Sequence, residues 1–266
     1  MLNTVRNVVV LGGYSAEALA LFARFTTPPT EARKSLINNL ITALKGAGVW
    51  SKLDCLYIQA AETEQAGQRN WIKDAHNLSP VAAPTFTTDR GYDFNGTTQY
   101  LSTQYTPSTQ AVNLTLNNAS AFVWCLDNVQ GDGYALAATG AAGLIGLIPR
   151  RSGSADTYLA ALNVSTTTGT SVGVVADSRG LTHMERATAN LTTVYKNGAA
   201  SVTHAIASAG LPNQPVYLGA RNNSGTANSF DTRAQAAAGM GASLGADGSL
   251  ALYNAVNAYL TAVGAA

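Results

Sequence analysis

The sequence predicts a mainly β fold: a sandwich of about a dozen strands with a helical N-terminal region and a C-terminal helix. Asn197-Gly198 stands between two runs of strand-forming residues, the strongest short-range signal for a two-residue hairpin. After residue 83, short apolar or alternating runs recur roughly every ten residues, separated by turn-forming residues. The predicted strands are 84–87, 100–103, 121–127, 134–138, 143–149, 157–163, 171–177, 182–189, 192–196, 201–207, 216–220 and 236–243.

Helical periodicity is found before residue 83 and at the end of the chain. Apolar residues recur at steps of three and four over 18–25 and again over 36–44, which predicts two amphipathic helices. Thr27-Pro28-Pro29-Thr30 interrupts the pattern, with one of its threonines as the cap of the second helix. Gly46 and Gly48 end that helix.

Three further elements follow from short patterns. The run 53–61 is short and follows a glycine-terminated helix, so we expect a buried strand there. The last helix is predicted to begin at Asp247 as its N-cap. Residues 7–11 predict a short strand in an N-terminal arm, which we expect to pair with another chain or to dock on an assembly.

Composition excludes several classes of protein. Only 12% of the residues are charged, the net charge is +1, and no basic cluster exceeds Arg150-Arg151, so a nucleic-acid partner is not expected. The sequence contains neither a secretory signal pattern nor an apolar run near the ~18 residues that cross a membrane. Cys55 and Cys125 lie in apolar runs and predict two buried free thiols.

Three landmarks indicate the kind of sandwich. Tyr92-Asp93-Phe94-Asn95-Gly96, the Asn197-Gly198 hairpin and the strand 216–220 follow one another with a spacing that resembles a concanavalin-A-like, or laminin-G-like, jelly roll. The change of pattern near residue 83 then divides the chain into two parts. Residues 1–83 form an N-terminal arm and helical region for docking or assembly, and 84–266 form the jelly roll closed by the C-terminal helix.

Other segments resemble a module of structural proteins from tailed bacteriophages and phage-like particles. They are 25–54, which contains the Pro28-Pro29 pair, then Asn70-Trp71, then Thr85-Phe86-Thr87-Thr88-Asp89-Arg90-Gly91. The resemblance extends over about residues 16–262. It implies a non-enzymatic protein on the exterior of a virion, as a tail-fibre, baseplate or head-decoration component. Its expected partners are other virion proteins, further copies of itself and, for an adhesive role, a host surface glycan.

A polysaccharide-degrading enzyme on the same scaffold is the alternative of a different class. Glycoside hydrolysis usually needs two carboxylates, and the Glu-x-Asp-x-x-Glu run that retaining hydrolases of this fold carry is missing from the sequence. His183 and Glu185 share a strand face and form a candidate acid–base pair, against the simpler interpretation of a solvent-facing strand pair. We expect no catalytic residues and no cofactor; calcium at the sandwich rim, held by Asp127 and Asp132, remains an alternative.

Carbohydrate sites combine an aromatic platform with amide and carboxylate hydrogen bonds, and loop residues are the place to look for them. Each candidate also has a plain structural interpretation, as an aromatic at the edge of the core, a solubilising arginine or a turn residue. The candidate ligand-binding residues are Asp132, Tyr134, Arg150, Arg151, Arg221 and Asn222.

Overall fold

Two mainly antiparallel sheets lie face to face, and helices cover the outer side of one of them. The computed structural model describes residues 13–152, 156–166 and 171–265. The helices are α1 Ala16–Phe22, α2 Glu31–Gly46, α3 Glu64–Gly67, α4 Pro107–Gln110 and α5 Gly245–Val263, with a 3-10 turn at Trp50–Lys52. The strands are β1 Leu53–Ile58, β2 Ser79–Val81, β3 Thr85–Thr87, β4 Gly91–Asp93, β5 Tyr100–Ser102, β6 Ala119–Cys125, β7 Leu136–Thr139, β8 Leu144–Arg151, β9 Thr157–Val164, β10 Ser171–Val172, β11 Gly180–Thr188, β12 Leu191–Lys196, β13 Ala199–Ala205, β14 Tyr217–Leu218, β15 Arg221–Asn223, β16 Thr226–Asn228 and β17 Gln235–Gly241.

The strand order confirms the predicted mainly β sandwich. Sheet A runs β13-β12-β11-β6-β17-β4-β3, with β1 also paired to β17. Sheet B runs β10-β9-β8-β7-β14-β5-β2, with the β15–β16 hairpin attached to β7. Each of the predicted strands overlaps an observed strand. The sequence did not indicate β2, β4, β15 and β16, which are only three residues long.

The N-terminal region is part of both sheets, because β1 pairs with β17 in sheet A and β2 pairs with β5 in sheet B. The strand predicted within 53–61 is therefore confirmed as β1. Cys55 and Tyr57 face the core between the sheets, whereas Leu56 and Ile58 face the helices, so every residue of β1 is buried. The change near residue 83, from a helical to a strand pattern, thus divides the sequence, but the residues on its two sides share one core. Residues 7–11 and most of the predicted arm lie outside the described residues.

A layer made by α1, α2 and α5 packs on sheet A. Helix α2 begins as predicted, with the Thr30 hydroxyl accepting the amide N–H of Arg33 at 3.2 Å. Helix α5 begins two residues before the predicted cap Asp247. Its first amides are instead satisfied by a distant carboxylate: Glu185 on β11 accepts the N–H groups of Leu244 at 2.9 Å and Gly245 at 2.7 Å. None of the helices among the described residues is long and apolar enough to cross a membrane.

The Asn197-Gly198 turn joins β12 and β13 with the two-residue geometry that the sequence predicts. Lys196 pairs with Ala199, and the two central residues have φ angles of 49° and 81°. Such angles favour asparagine and glycine. The Asn197 side-chain oxygen also accepts the amide N–H of Leu181 at 2.9 Å, which fixes the turn to the neighbouring strand β11.

The interior also confirms the two predicted free thiols. Cys55 and Cys125 are buried and unpaired, and burial raises the pKa of each thiol to about 12. Trp124 packs between sheet A and the helices, where its ring lies parallel to that of Tyr253 at a centroid distance of 5.7 Å.

Candidate functional site

One end of the sandwich, termed here the loop end, gathers the loops that contain most of the predicted ligand-binding residues. Strands β6 and β8 end there, and β9, β11 and β17 begin there, because neighbouring strands are antiparallel. Residues that are far apart in sequence therefore meet at one surface. The question is which of their side chains are free to contact a ligand.

A buried ion pair holds this end together. Arg233 and Asp231 have almost no exposed surface, and their nearest guanidinium and carboxylate atoms are 2.5 Å apart. Burial raises the pKa of Asp231 to about 6, although the charge of Arg233 acts in the opposite direction. The remaining guanidinium N–H groups donate to the backbone carbonyls of Val129, Gly131, Gly133 and Arg150. The loop between β6 and β7 is thus fixed before any ligand arrives.

On this support lies the rim cluster, made of Asp132, Arg150, Arg151, Ser152 and Asp156. Arg151 lies 3.3 Å from one carboxylate oxygen of Asp132, and the Ser152 hydroxyl donates to the other at 2.5 Å. Arg150 pairs with Asp156 at 2.9 Å. The Asp132 side chain is 62% exposed and that of Arg151 34%, so both can exchange part of their mutual contact for a ligand. The structure brings together three predicted site residues in this cluster.

Tyr134 and Arg221, also predicted, form a second group on the outer face of sheet B. The Tyr134 ring lies over Gly146, where a Cβ atom would approach the ring to 2.6 Å. The Arg221 guanidinium covers the same ring at 5.5 Å from its centroid and donates through Nε to the Asn228 side chain at 2.9 Å. Tyr134 is only 7% exposed, so it supports Arg221 and is not itself an open platform.

Asn222 lies in the interior, where it has the plain structural role of a turn residue. Its side-chain nitrogen donates to the Pro215 carbonyl, and its oxygen accepts the N–H of Gly225, both at 2.9 Å. It is 1% exposed, so in this arrangement it shapes the β15–β16 turn and has no surface for a ligand.

An aromatic face that sequence reasoning missed lies on the same side of sheet B. Tyr100 and Tyr217 stack at a centroid distance of 4.3 Å with an interplanar angle of 26°, and Phe230 lies 6.3 Å from Tyr100. All three rings are half-buried. Burial, with the neighbouring Tyr100, raises the pKa of Tyr217 to about 12. The alternation around the inward-facing Leu101 and Leu218 was the available signal, because it turns both tyrosines outward.

The aromatic face and Arg221 are neighbours. Ala137 of β7 pairs with Tyr217 of β14 and with Arg221 of β15, so one residue of β7 separates the stacked rings from the guanidinium. The segment that carries Phe230 also contacts the predicted loop, because the Tyr134 amide donates to the Ser229 carbonyl at 3.0 Å. The aromatic rings, the guanidinium and the Asn228 amide thus lie on the outer face of sheet B, next to the loop that carries Asp132.

The predicted acid–base pair does not have the predicted surroundings. His183 and Glu185 do share a face of β11, but that face is covered by α5 and is not exposed to solvent. His183 Nδ1 lies 2.9 Å from the Ser249 hydroxyl, and burial lowers the pKa of His183 to about 3. Glu185 is occupied by the amides at the start of α5. The interpretation as a solvent-facing strand pair is therefore wrong, and the pair has no substrate-accessible surface.

The two aspartates considered for calcium have other partners. Asp127 accepts the N–H of Ala234 at 3.2 Å, and Asp132 pairs with Arg151 as described. Within the described ranges, no three His, Cys, Asp or Glu residues are grouped so that they could hold a metal ion.

Neither a protein-family model nor a curated protein matches this sequence. Solved structures do resemble the fold. Trypanosoma rangeli sialidase in complex with sialic acid gives a TM-score of 0.52 at 13% identity, covering 85% of this chain and 39% of the sialidase chain. The botulinum neurotoxin serotype D binding domain gives 0.51 at 8% identity, covering 77% of this chain and 52% of that one. The chain thus spans about half or less of these proteins, and the likeness shows a shared β-sandwich fold.

Proposed function

We propose that this chain is a non-catalytic carbohydrate-binding protein displayed on the exterior of a tailed-phage particle. The observation that carries the carbohydrate part is the aromatic face of Tyr100, Tyr217 and Phe230 beside Arg221. The C–H side of a sugar ring packs on aromatic rings, and its hydroxyls take hydrogen bonds from a few fixed polar groups. Arg221 and Asn228 supply such groups next to the rings.

Rigidity supports a binding role. Arg221 is held between the Tyr134 ring and Asn228, and the rim cluster rests on the buried Arg233–Asp231 pair. Side chains that are fixed before binding lose less conformational entropy when a ligand arrives. The solved structures that resemble this fold are a sialidase in complex with sialic acid and a neurotoxin binding domain. At their low identity they support the fold of this chain and not its ligand.

The particle part of the proposal comes from the segments that resemble phage structural proteins. In the structure these segments contact one another: Arg33 pairs with Asp89 at 2.6 Å, joining 25–54 to 85–91. The Asn70 side chain binds the amides of Leu56 and Ile72, joining the Asn70-Trp71 element to β1. They form one connected unit, which includes α2 on the helical side of sheet A. We infer that this helical side docks on virion proteins or on further copies of the chain, while the loop end is displayed.

A glycan array followed by calorimetric titration tests the carbohydrate part. Tyr217→Leu keeps apolar volume but removes the flat ring, and Arg221→Gln removes the charge. We expect each to weaken binding of the best glycan about tenfold, or ~1.4 kcal/mol. Tyr14→Leu, on the helical side, is the matched control and keeps wild-type affinity. Glycan binding at this face is contradicted if no glycan on the array is bound, or if wild type and all three variants bind with equal affinity.

Immunogold labelling of purified particles tests the particle part. Labelling on the exterior supports it, and unlabelled particles that contain no copy of the chain contradict it. A protein that binds particles while the glycan array stays blank would have a decoration role instead of an adhesive one.

A further inference from the structure

A cleft at the loop end is distinct from the aromatic face and from the rim cluster. It has a volume of about 390 Å³, within the range of small-ligand sites. We call it the Lys196 cleft and define it by Tyr158, Val174, Asp177, Arg179, Lys196 and Ser201. Val174 is 74% exposed and lies at its lip.

The cleft contains an ammonium group that lacks a counter-ion. Lys196 Nζ donates to the Ser178 carbonyl at 3.1 Å and to the Thr182 hydroxyl at 3.3 Å, which uses two of its three protons. Over the described ranges no carboxylate lies within 4.0 Å of Nζ. The nearby Asp177 is already bound by Arg179 through two guanidinium nitrogens, at 2.7 and 3.0 Å.

The charge at the cleft is therefore unbalanced. Arg179 and Asp177 neutralise each other, and Lys196 leaves one positive charge in a half-buried position. Burial lowers the pKa of Lys196 to about 8, while Asp177 and the Cys125 thiol below it act in the opposite direction. A buried or half-buried charge without a partner is unfavourable, so an anion that enters the cleft gains the interaction that Lys196 lacks.

The cleft adjoins the surface already described. The Asn128 side-chain oxygen accepts one N–H from Arg150 at 2.9 Å and the amide of Ser178 at 3.1 Å. Asn128 therefore lies between the rim cluster and the loop that supplies Ser178 to Lys196. One extended ligand can contact the rim cluster and the cleft together.

We propose that the Lys196 cleft binds the anionic substituent of an acidic sugar residue, which makes the ligand class of this protein an acidic polysaccharide. The Lys196 ammonium pairs with the anionic group, and Val174 at the lip of the cleft packs against the sugar ring. This inference rests on the proposed carbohydrate-binding function and specifies its ligand. A carboxylate of a uronic acid and a sulfate ester share the required charge, and the test separates them.

Calorimetric titration at pH 7 tests the inference with three probes. Two are anionic, trigalacturonate and a sulfate ester of an otherwise uncharged trisaccharide, and the third is the neutral methyl ester of trigalacturonate. We expect wild type to bind at least one of the two anionic probes about tenfold more tightly than the ester. Lys196→Met should reduce that preference to near unity and leave the ester affinity unchanged. Lys196→Arg should keep its affinity for the bound anionic probe at pH 10, where wild type loses that affinity because Lys196 is neutral. Lys45→Met, a lysine on α2, is the matched control.

The outcomes separate the two proposals. If Tyr217→Leu weakens binding of the ester, the carbohydrate function is supported. If Lys196→Met still prefers the anionic probe over the ester, the proposed role of the cleft is overturned. Equal binding of the ester and both anionic probes by wild type overturns it as well. Failure to bind any carbohydrate on the array or in titration overturns both.

Discussion

Glu185→Gln is the substitution that best separates a structural role of this carboxylate from a catalytic one. Glu185 is 5% exposed, and one of its oxygens accepts two amide N–H groups at the start of the 19-residue helix α5. Hydrogen bonds to a charged group contribute roughly 1.5–3 kcal/mol, against 0.5–1.5 for neutral ones. A negative charge at a helix N-terminus contributes about 0.3–1 kcal/mol more.

Glutamine keeps an acceptor oxygen but loses the charge. The structure therefore predicts a fall of about 1–2 kcal/mol in the free energy of unfolding, since the neutral amide also escapes the desolvation cost of burial. For a chain of this size the corresponding fall in Tm is roughly 3–6 °C. Urea unfolding at pH 7, followed by circular dichroism, measures the first quantity, and a thermal scan measures the second.

Asp247→Asn is the control, because Asp247 lies exposed in the first turn of the same helix without a side-chain cap bond. We expect a change below about 0.5 kcal/mol. Glu185→Gln with wild-type stability would refute the capping argument. If wild type also depolymerises a surface polysaccharide and Glu185→Gln abolishes that turnover while remaining folded, the enzyme alternative replaces the binding function.

Three further predictions concern stability and reactivity. His183 is neutral when folded and has a pKa of about 3 there against 6.5 as its ordinary value, so the unfolded chain binds the extra proton. Stability should fall as the pH drops below 6.5, by about 2 kcal/mol from this group at pH 5, and His183→Gln should flatten that part of a urea-midpoint profile between pH 5 and 7. Cys55 and Cys125 should resist Ellman's reagent at pH 8 in the native protein and react fully in guanidinium; fast native labelling would contradict their burial. Asn197→Ala should cost about 1–2 kcal/mol, from a left-handed φ and the lost bond to β11, whereas Asn197→Gly should lose only the bond; equal losses would show that backbone strain contributes nothing.

The local elements were predictable from sequence because local pattern determines them. Alternating runs with turn residues between them gave the strands, and Asn197-Gly198 gave the hairpin together with its backbone angles. The start of α5 was not predictable. Asp247 is the residue that a local capping rule selects, but the cap is Glu185, far away in the sequence and brought there by sheet A. The strands β2, β4, β15 and β16 were not predicted, because three residues are too few for alternation to be recognised; β3, β5, β10 and β14 are as short but lie within longer predicted runs.

The candidate site was predictable in part for the same reason. Arg150 and Arg151 were chosen at the end of a predicted strand and Asp132 in a predicted turn beside Tyr134, and antiparallel pairing brings strand ends and turns together. The aromatic face needed pairing information instead, since Tyr100 and Tyr217 meet only through the ladder between β5 and β14. No local pattern states which strands are neighbours.

The pairing of β1 with β17 joins two strands that are far apart in the sequence. The strand β17 is buried on both faces and begins at residue 235, long after β1 ends at residue 58. Contacts between such distant segments slow folding, because closing the intervening loop costs entropy before the pairing contributes any favourable free energy. A fragment that starts at residue 84 would leave the edge of β17 that β1 occupies open beside an apolar surface, as a template for pairing with other chains. The protein should therefore be produced and engineered as one piece, with changes confined to the loop end.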